Sequence, residues 1–341
     1  MANYTLANLV KAQIKLAGEF ASNDTRYRIP AVFLFILKGS EAFFPKYKDL
    51  KTSDKRVVEA NYFKRTVSAL TTTGRSHNHT GSHGDSGVIT LAWNTYSSTF
   101  SMTLKQADGS VMSFQEMFNN EIRNKIIAFA EGLDAAAVNF LFANKSGVNP
   151  ATVKGSFNGT KTTYEITAST FQSQAITISK TVMDINKYQG QNLNIVCDSN
   201  AYTTFQQQAY QGAQNATNQS FQFLETTFVH APQLTALAIA LGYTNGYWLM
   251  VPDGHVACLD WIPAPNKKGV SDEMGIYGSL MNPVDGLQYA VHSYKQRVDG
   301  TSVNGEVQDV STETELSIDV CFQYAPSSTT NETPIQAFGL V

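Results

Sequence analysis

An apolar repeat between Ser113 and Asn144 constrains the fold of this 341-residue chain more than any other pattern. Its apolar residues recur at three- and four-residue intervals, which is the spacing of one helix face. Ser113 and Glu116 have the spacing of a capping box, and Gly147 and Pro150 end the pattern. We therefore predict a helix of about 30 residues, which would be about 45 Å long. A helix in a globular protein usually has only about three turns. Its predicted core residues are Phe114, Phe118, Ile122, Ile126, Phe129 and Leu133.

Two hydroxyl-rich strand patterns precede this helix, at about 56–72 and 88–104. In the second, Tyr96, Phe100, Met102 and Leu104 alternate with serines and threonines, which is typical of a half-buried strand. We expect the two strands to form an extended ribbon. A two-stranded ribbon is at best marginally stable alone in water, so another copy of the chain is its expected support.

The tip of this ribbon, Gly74–Asp85, is rich in histidine, glycine and serine. Histidines and a carboxylate this close together are suited to a transition metal, but a flexible loop supplies little of the rigid surrounding shell that metal sites need. We favour contact with a neighbouring subunit and keep a metal-dependent enzyme, using His77, His79 and His83, as the alternative. The predicted contact residues are Arg75, His77, Asn78, His79, His83 and Asp85.

Charge is scarce and unevenly distributed. Charged residues make up 16% of the chain, against about 25% in typical proteins. Residues 1–75 hold 13 Lys and Arg against 6 Asp and Glu, while the remainder holds 12 against 22. This asymmetry predicts that a basic region meets an acidic neighbouring subunit or nucleic acid. Its candidate residues are Lys46, Lys48, Lys51, Lys55 and Arg56.

The motifs of common enzyme classes are missing from the sequence. It contains no phosphate-binding glycine loop, nucleophile elbow or zincin helix, so we predict a non-enzymatic protein without a cofactor. Cys197, Cys258 and Cys321 lack paired spacing and are predicted to be buried free thiols.

A carbohydrate-binding module is a further alternative. The aromatic residues Trp93, Trp248 and Trp261 would favour it, but all three are more simply explained as strand core.

The remaining chain predicts a mixture of helices and strands. Residues 5–20 have helical spacing, and 39–55 read as a polar connection, so the first 55 residues are expected to form an arm. A hairpin is predicted from Gly246–Val251 and His255–Trp261, because Asp253-Gly254 is a strong turn signal. A strand is predicted at Thr314–Tyr324, and a polar surface tail after Pro326. The longest fully apolar run near the N-terminus, Ala31–Leu37, is too short to cross a bilayer, and no membrane partner is expected.

This order of parts resembles the major capsid proteins of tailed bacteriophages. Two stretches resemble capsid proteins of phages infecting Bacteroidetes: Thr73-Gly74-Arg75 followed by His77–Gly81, and Gly254–Trp261 followed by Pro263. The resemblance implies an α+β fold with an N-terminal arm (1–55), an extended β-hairpin loop (56–104), a peripheral domain with a spine helix (105–183, helix 113–144), an axial domain (184–265) and a return to the peripheral domain with a C-terminal tail (266–341). It also implies that the spine helix packs on a sheet containing Thr314–Tyr324.

The function implied by this resemblance is structural. The chain would assemble into hexamers and pentamers of an icosahedral shell around double-stranded DNA, which it would contact without sequence preference. Its other partners would be portal, scaffolding and decoration proteins, and its location the virion, after assembly in the host cytoplasm. An encapsulin-like compartment with a different cargo remains open, because the sequence does not separate the two kinds of shell.

Overall fold

A computed structural model describes residues 6–22, 26–44, 46–63, 86–103, 113–149, 153–188, 192–209, 220–223, 226–298, 309–327 and 329–341. The helices are α1 (Leu6–Ala21), α2 (Ala31–Phe43), α3 (Tyr47–Thr52), α4 (Phe114–Ala143), α5 (Ala168–Phe171), α6 (Ala175–Ile185), α7 (Ser199–Ala209), α8 (Pro232–Ala240) and α9 (Ala264–Lys268). The strands are β1 (Glu59–Phe63), β2 (Ser86–Thr90), β3 (Asn94–Thr103), β4 (Ser156–Asn158), β5 (Thr163–Ile166), β6 (Leu193–Cys197), β7 (Ser220–Phe223), β8 (Thr226–His230), β9 (Tyr247–Pro252), β10 (Val256–Trp261), β11 (Ser271–Asp272), β12 (Gly275–Met281), β13 (Gln288–Val298), β14 (Asp309–Tyr324) and β15 (Gln336–Leu340).

The predicted long helix is present as α4, a helix of 30 residues. The Ser113 side chain accepts a hydrogen bond from the Glu116 N–H, and the Glu116 carboxylate accepts one from the Ser113 N–H, which completes the predicted capping box. By length and composition alone this helix could cross a membrane. Its apolar face is instead buried within the protein, as in a core helix.

A six-stranded antiparallel sheet supports α4. Four of its strands run in the order β10-β14-β13-β12, and the short β11 extends β12. The sixth, β3, pairs with the other edge of β14, from Asn94 opposite Val320 to Thr103 opposite Ser311. The Phe118 ring of α4 packs against Phe100 of β3, and Phe140 packs against Phe322 of β14. The predicted packing of this helix on the sheet that contains Thr314–Tyr324 is therefore confirmed.

A seven-stranded mixed sheet forms the second layer, in the order β4-β5-β15-β9-β6-β8-β7. The pairs β15–β5 and β6–β8 are parallel, and the others are antiparallel. Helices α6 and α7 share its core with Trp248 and Phe338, whose rings stack. Together the helices and two sheets confirm the predicted α+β class.

The predicted hairpin of residues 246–261 is wrong. Gly254 does adopt the left-handed conformation of a turn, with φ of 69°. However, β9 pairs with β6 and β15 in one sheet, whereas β10 pairs with β14 in the other. The turn carries the chain from one sheet to the other. Residues 256–261 therefore lie in a different sheet from the rest of the predicted axial segment.

Both ends of the chain also differ from the prediction. The described N-terminal helices are no separate arm, because Leu9, Leu16, Phe33 and Ile36 are buried in the main core with α4. The polar connection expected over 39–55 contains the end of α2 and all of α3. The tail expected on the surface ends in β15, which is buried between β5 and β9.

Candidate inter-subunit surfaces

The base of the predicted ribbon is the pair β1–β2, in which Ala60 lies opposite Ile89. These two side chains pack inward, in a small apolar cluster with Leu259 and Cys321 of the six-stranded sheet. Val88, which pairs with Asn61 and points to the opposite face of the ribbon, is 56% exposed, and Val58, just before β1, is 59% exposed. The subunit thus covers the Ala60 and Ile89 side of its ribbon base and leaves apolar side chains exposed beside it.

The tip residues Arg75, His77, Asn78, His79, His83 and Asp85 lie outside the described residues. Within the residues that the structure describes, no three His, Cys, Asp or Glu side chains are placed to hold a metal ion. The contact role and the metal alternative at the tip therefore both stay predictions.

The predicted basic residues divide into two groups. Lys51 Nζ lies 2.8 Å from the carboxylate of Asp260, which is almost fully buried, and Arg56 Nη1 donates to Asp319 at 3.0 Å. These two contacts fasten α3 and the start of the ribbon to the sheet. Sequence reasoning missed both acidic partners because they lie more than 200 residues away in the chain.

The remaining basic residues, Lys46, Lys48 and Lys55, are exposed. Lys48 reaches Glu41 at 3.6 Å, with both side chains mostly in solvent. An ion pair this exposed to solvent is weak. These three lysines are therefore available to a partner, whereas Lys51 and Arg56 already have one.

The six predicted core residues of α4 are all buried, at 6% exposure or less. The same helix carries a buried acid, Asp134, that the apolar pattern did not predict. Its carboxylate accepts hydrogen bonds from Val32 N–H and Phe33 N–H and from the side-chain amide of Gln233. Burial raises the pKa of this carboxyl group, and the hydrogen bonds oppose that rise.

A second apolar surface lies on α1. Leu6, Val10 and Ile14 occupy successive turns and are 37%, 55% and 70% exposed. Leu9 and Leu16, on the other side of the same helix, are buried in the core. A surface helix usually presents one apolar stripe, so the second stripe is a candidate contact surface.

One serine–histidine contact bears on the enzyme alternative. Ser199 Oγ lies 3.1 Å from His230 Nε2, and burial lowers the pKa of this histidine. The Thr235 hydroxyl donates to the same Oγ, and Ser199 N–H donates to Thr235. The contacts described for the imidazole are with Ser199 and the stacked ring of Tyr202, and they include no carboxylate. The arrangement ties α7, α8 and β8 together, and among the described residues it has no orienting acid of the kind found in a catalytic triad.

The cysteines also offer no accessible chemistry. Cys197, Cys258 and Cys321 are free and buried, as predicted. Burial raises the pKa of each thiol, to about 11 for Cys321. Because the thiolate is the reactive form, these cysteines are poor nucleophiles.

Comparison with known proteins identifies the fold. No protein-family model and no curated protein matches the chain. Among solved structures, the capsid asymmetric unit of cyanophage A-1(L) matches with a TM-score of 0.53 and 9% identity, over 93% of this chain and 94% of that one. The capsid asymmetric unit of cyanophage Pam1 matches with a TM-score of 0.52 and 11% identity, over 92% and 93%. The chain has the fold of these phage capsid structures.

Proposed function

We propose that this chain is the major capsid protein of a tailed bacteriophage, a structural protein without enzymatic activity. The observation that carries the proposal is the phage-capsid fold along more than nine tenths of the chain. The exposed apolar side chains of the ribbon base and of α1 support it, since each is suited to cover by another subunit. Copies would assemble into hexamers and pentamers of an icosahedral shell, in the virion, after assembly in the host cytoplasm.

The two sheets suggest which part of the subunit lies at the periphery of a capsomer and which lies at its centre. We infer that α4 and the six-stranded sheet form the peripheral part, and that the seven-stranded sheet forms the axial part at the centre of each capsomer. The ribbon would extend over an adjacent subunit and place Arg75, His77 and His79 against it. A host among the Bacteroidetes remains part of the proposal, carried by the two sequence stretches that resemble their phages.

The enclosed cargo is proposed to be double-stranded DNA. Lys46, Lys48 and Lys55 are the exposed cations that would contact it or an acidic neighbour. Contacts with phosphates would be sequence-independent and salt-sensitive. Portal, scaffolding and decoration proteins are the further partners that this function requires.

The experiment compares the full chain with a variant that lacks residues 74–85, each expressed with its neighbouring genes. The deletion retains every described ribbon pair, from Glu59 opposite Thr90 to Phe63 opposite Ser86. We expect the variant to unfold at the same temperature as the full chain but to sediment as small species. Loss of folding in the variant would show that the tip belongs to the subunit core. Nuclease-resistant DNA in the full-chain particles would separate a genome shell from a compartment with another cargo.

A further inference from the structure

The outer edge of β3 has no strand partner in the described part of the chain. All ten residues of β3 pair one-to-one with residues 311–320 of β14, without a bulge. None of the other described strands pairs with its opposite edge. Along an antiparallel strand the backbone groups of successive residues alternate between the two edges. Between Asn94 and Met102, about half of the N–H and C=O groups therefore point away from β14.

Other edges of the same sheet are covered. Helix α2 packs along β10, and the Ser40 hydroxyl accepts a hydrogen bond from Cys258 N–H. At β12, the Asn266 side chain donates to the Gly278 carbonyl, and Tyr277 N–H donates to Val270. Backbone groups at these points on the two edges thus have partners within the subunit, whereas none of the described strands pairs with the outer edge of β3.

The sequence of β3 also lacks the features that prevent an edge strand from pairing with a strand of another molecule. Natural edges are protected by charged residues, prolines, bulges or short length. The strand reads Asn-Thr-Tyr-Ser-Ser-Thr-Phe-Ser-Met-Thr, with no charge and no proline. It is also longer than the typical strand of about five or six residues. A long, uncharged edge strand without a bulge is a template for another strand.

We propose that β3 pairs with β3 of a second copy of this chain, antiparallel about a two-fold axis, and so joins two six-stranded sheets. The absence of charge favours this partner, because a two-fold axis places like residues near one another and any charge would face its own copy. With Thr99 at the axis, Thr99 would meet Thr99 and the exposed Ser97 would meet Ser101 of the second copy, and hydroxyl pairs across strands are favourable. The other face, with Phe100 and Met102, is already buried against the core. The inference rests on the proposed function, since it assigns one contact of the shell.

The test introduces opposite charges at the centre of the strand. We expect Thr99→Lys alone and Thr99→Glu alone each to weaken self-association by about tenfold or more, which corresponds to about 1.4 kcal/mol. An equal mixture of the two variants should restore it, because Lys then faces Glu across the axis. Ala236→Lys and Ala236→Glu, at an exposed position of α8 in the other layer, should leave association unchanged. Thermal unfolding checks that each variant folds.

A cysteine at the same position gives a second measurement, on free subunits and on particles alike. Thr99→Cys should form a disulfide between copies under mild oxidation, and the native cysteines add little background because they are buried. Normal association of both charge variants, with no disulfide in the Thr99→Cys variant, would overturn the inference while leaving the proposed function intact. Failure of the mixture to restore association would also overturn it, because the edge would then belong to a different strand. If the unaltered chain never forms particles, the proposed function fails, and the disulfide still tests the pairing.

Discussion

The carboxylate of Asp134 lies 2.9 Å from the backbone nitrogen of Val32, 102 residues away in the sequence. Val32 is in the first turn of α2, whose own N-cap residue, Pro30, supplies no capping side chain. Asp134 therefore caps α2 from the middle of α4. This contact joins the two central helices of the main core and explains a charged residue on an otherwise apolar helix face.

Removing this cap should destabilise the subunit. For Asp134→Ala we expect a loss of about 2–3 kcal/mol in the free energy of unfolding, because the N–H groups of Val32 and Phe33 would be left buried and unpaired. Urea denaturation measures the loss. Glu131→Ala, at an exposed position of the same helix, should stay within about 0.5 kcal/mol. An equal loss in both variants would show that the cap contributes nothing specific.

Replacing the two lysines of α3 should lower the free energy of unfolding by different amounts. Lys51→Met leaves the buried carboxylate of Asp260 without its cation, and we expect it to cost about 1–3 kcal/mol, less than a fully buried pair because Lys51 is 31% exposed. Lys48→Met breaks only an exposed pair and should cost about 0–0.5 kcal/mol. Chemical denaturation of the two variants under one set of conditions tests the contrast. Equal costs would contradict the described role of Lys51.

The C-terminal strand should be indispensable for folding. Deleting residues 335–341 removes β15 from between β5 and β9 and exposes the core around Trp248. We expect loss of soluble protein and of the near-ultraviolet circular dichroism signal. Val341→Ser, which alters a side chain that is 47% exposed, is the matched control and should fold normally. A cooperative unfolding transition in the deletion variant would contradict the topology.

The stability of the subunit should depend on pH through Asp285. Burial raises the pKa of this carboxyl group to about 6, and hydrogen bonds from Tyr289 and Leu287 only partly oppose the rise. Because the folded pKa exceeds the unfolded value, the folded state binds the proton more tightly, so the contribution of Asp285 to stability is fully present below pH of about 4 and is lost as pH rises through about 6. The change attributable to this group is about 2–3 kcal/mol.

Asp285→Asn provides the comparison. The difference in unfolding free energy between wild type and this variant should grow in favour of wild type as pH falls from about 7 to 4. Parallel pH profiles for the two proteins would show that Asp285 does not titrate in this range.

Local patterns in the sequence predicted local structure well. Helix α4 follows from an apolar period and a capping box that lie within one stretch of chain. The alternation in β3 likewise identified its buried face, with Phe100 and Met102 inward. In both cases the residues that determine the element are close together in sequence.

Partners distant in sequence account for the errors. The Asp253-Gly254 turn is real, but a turn does not decide which strands pair, and β9 and β10 pair with two different strands far along the chain, β15 and β14. Helix α2 was missed because its run is apolar on all sides and its cap, Asp134, comes from another helix. Likewise, Asp260 and Asp319 became visible as partners of Lys51 and Arg56 only in three dimensions.

Electron microscopy of the purified protein, expressed alone and with its neighbouring genes, tests the central claim most directly. A capsid subunit is expected to form closed particles of uniform diameter whose surface shows five- and six-fold clusters. A folded monomer under every condition, with no particles, would contradict the proposed function.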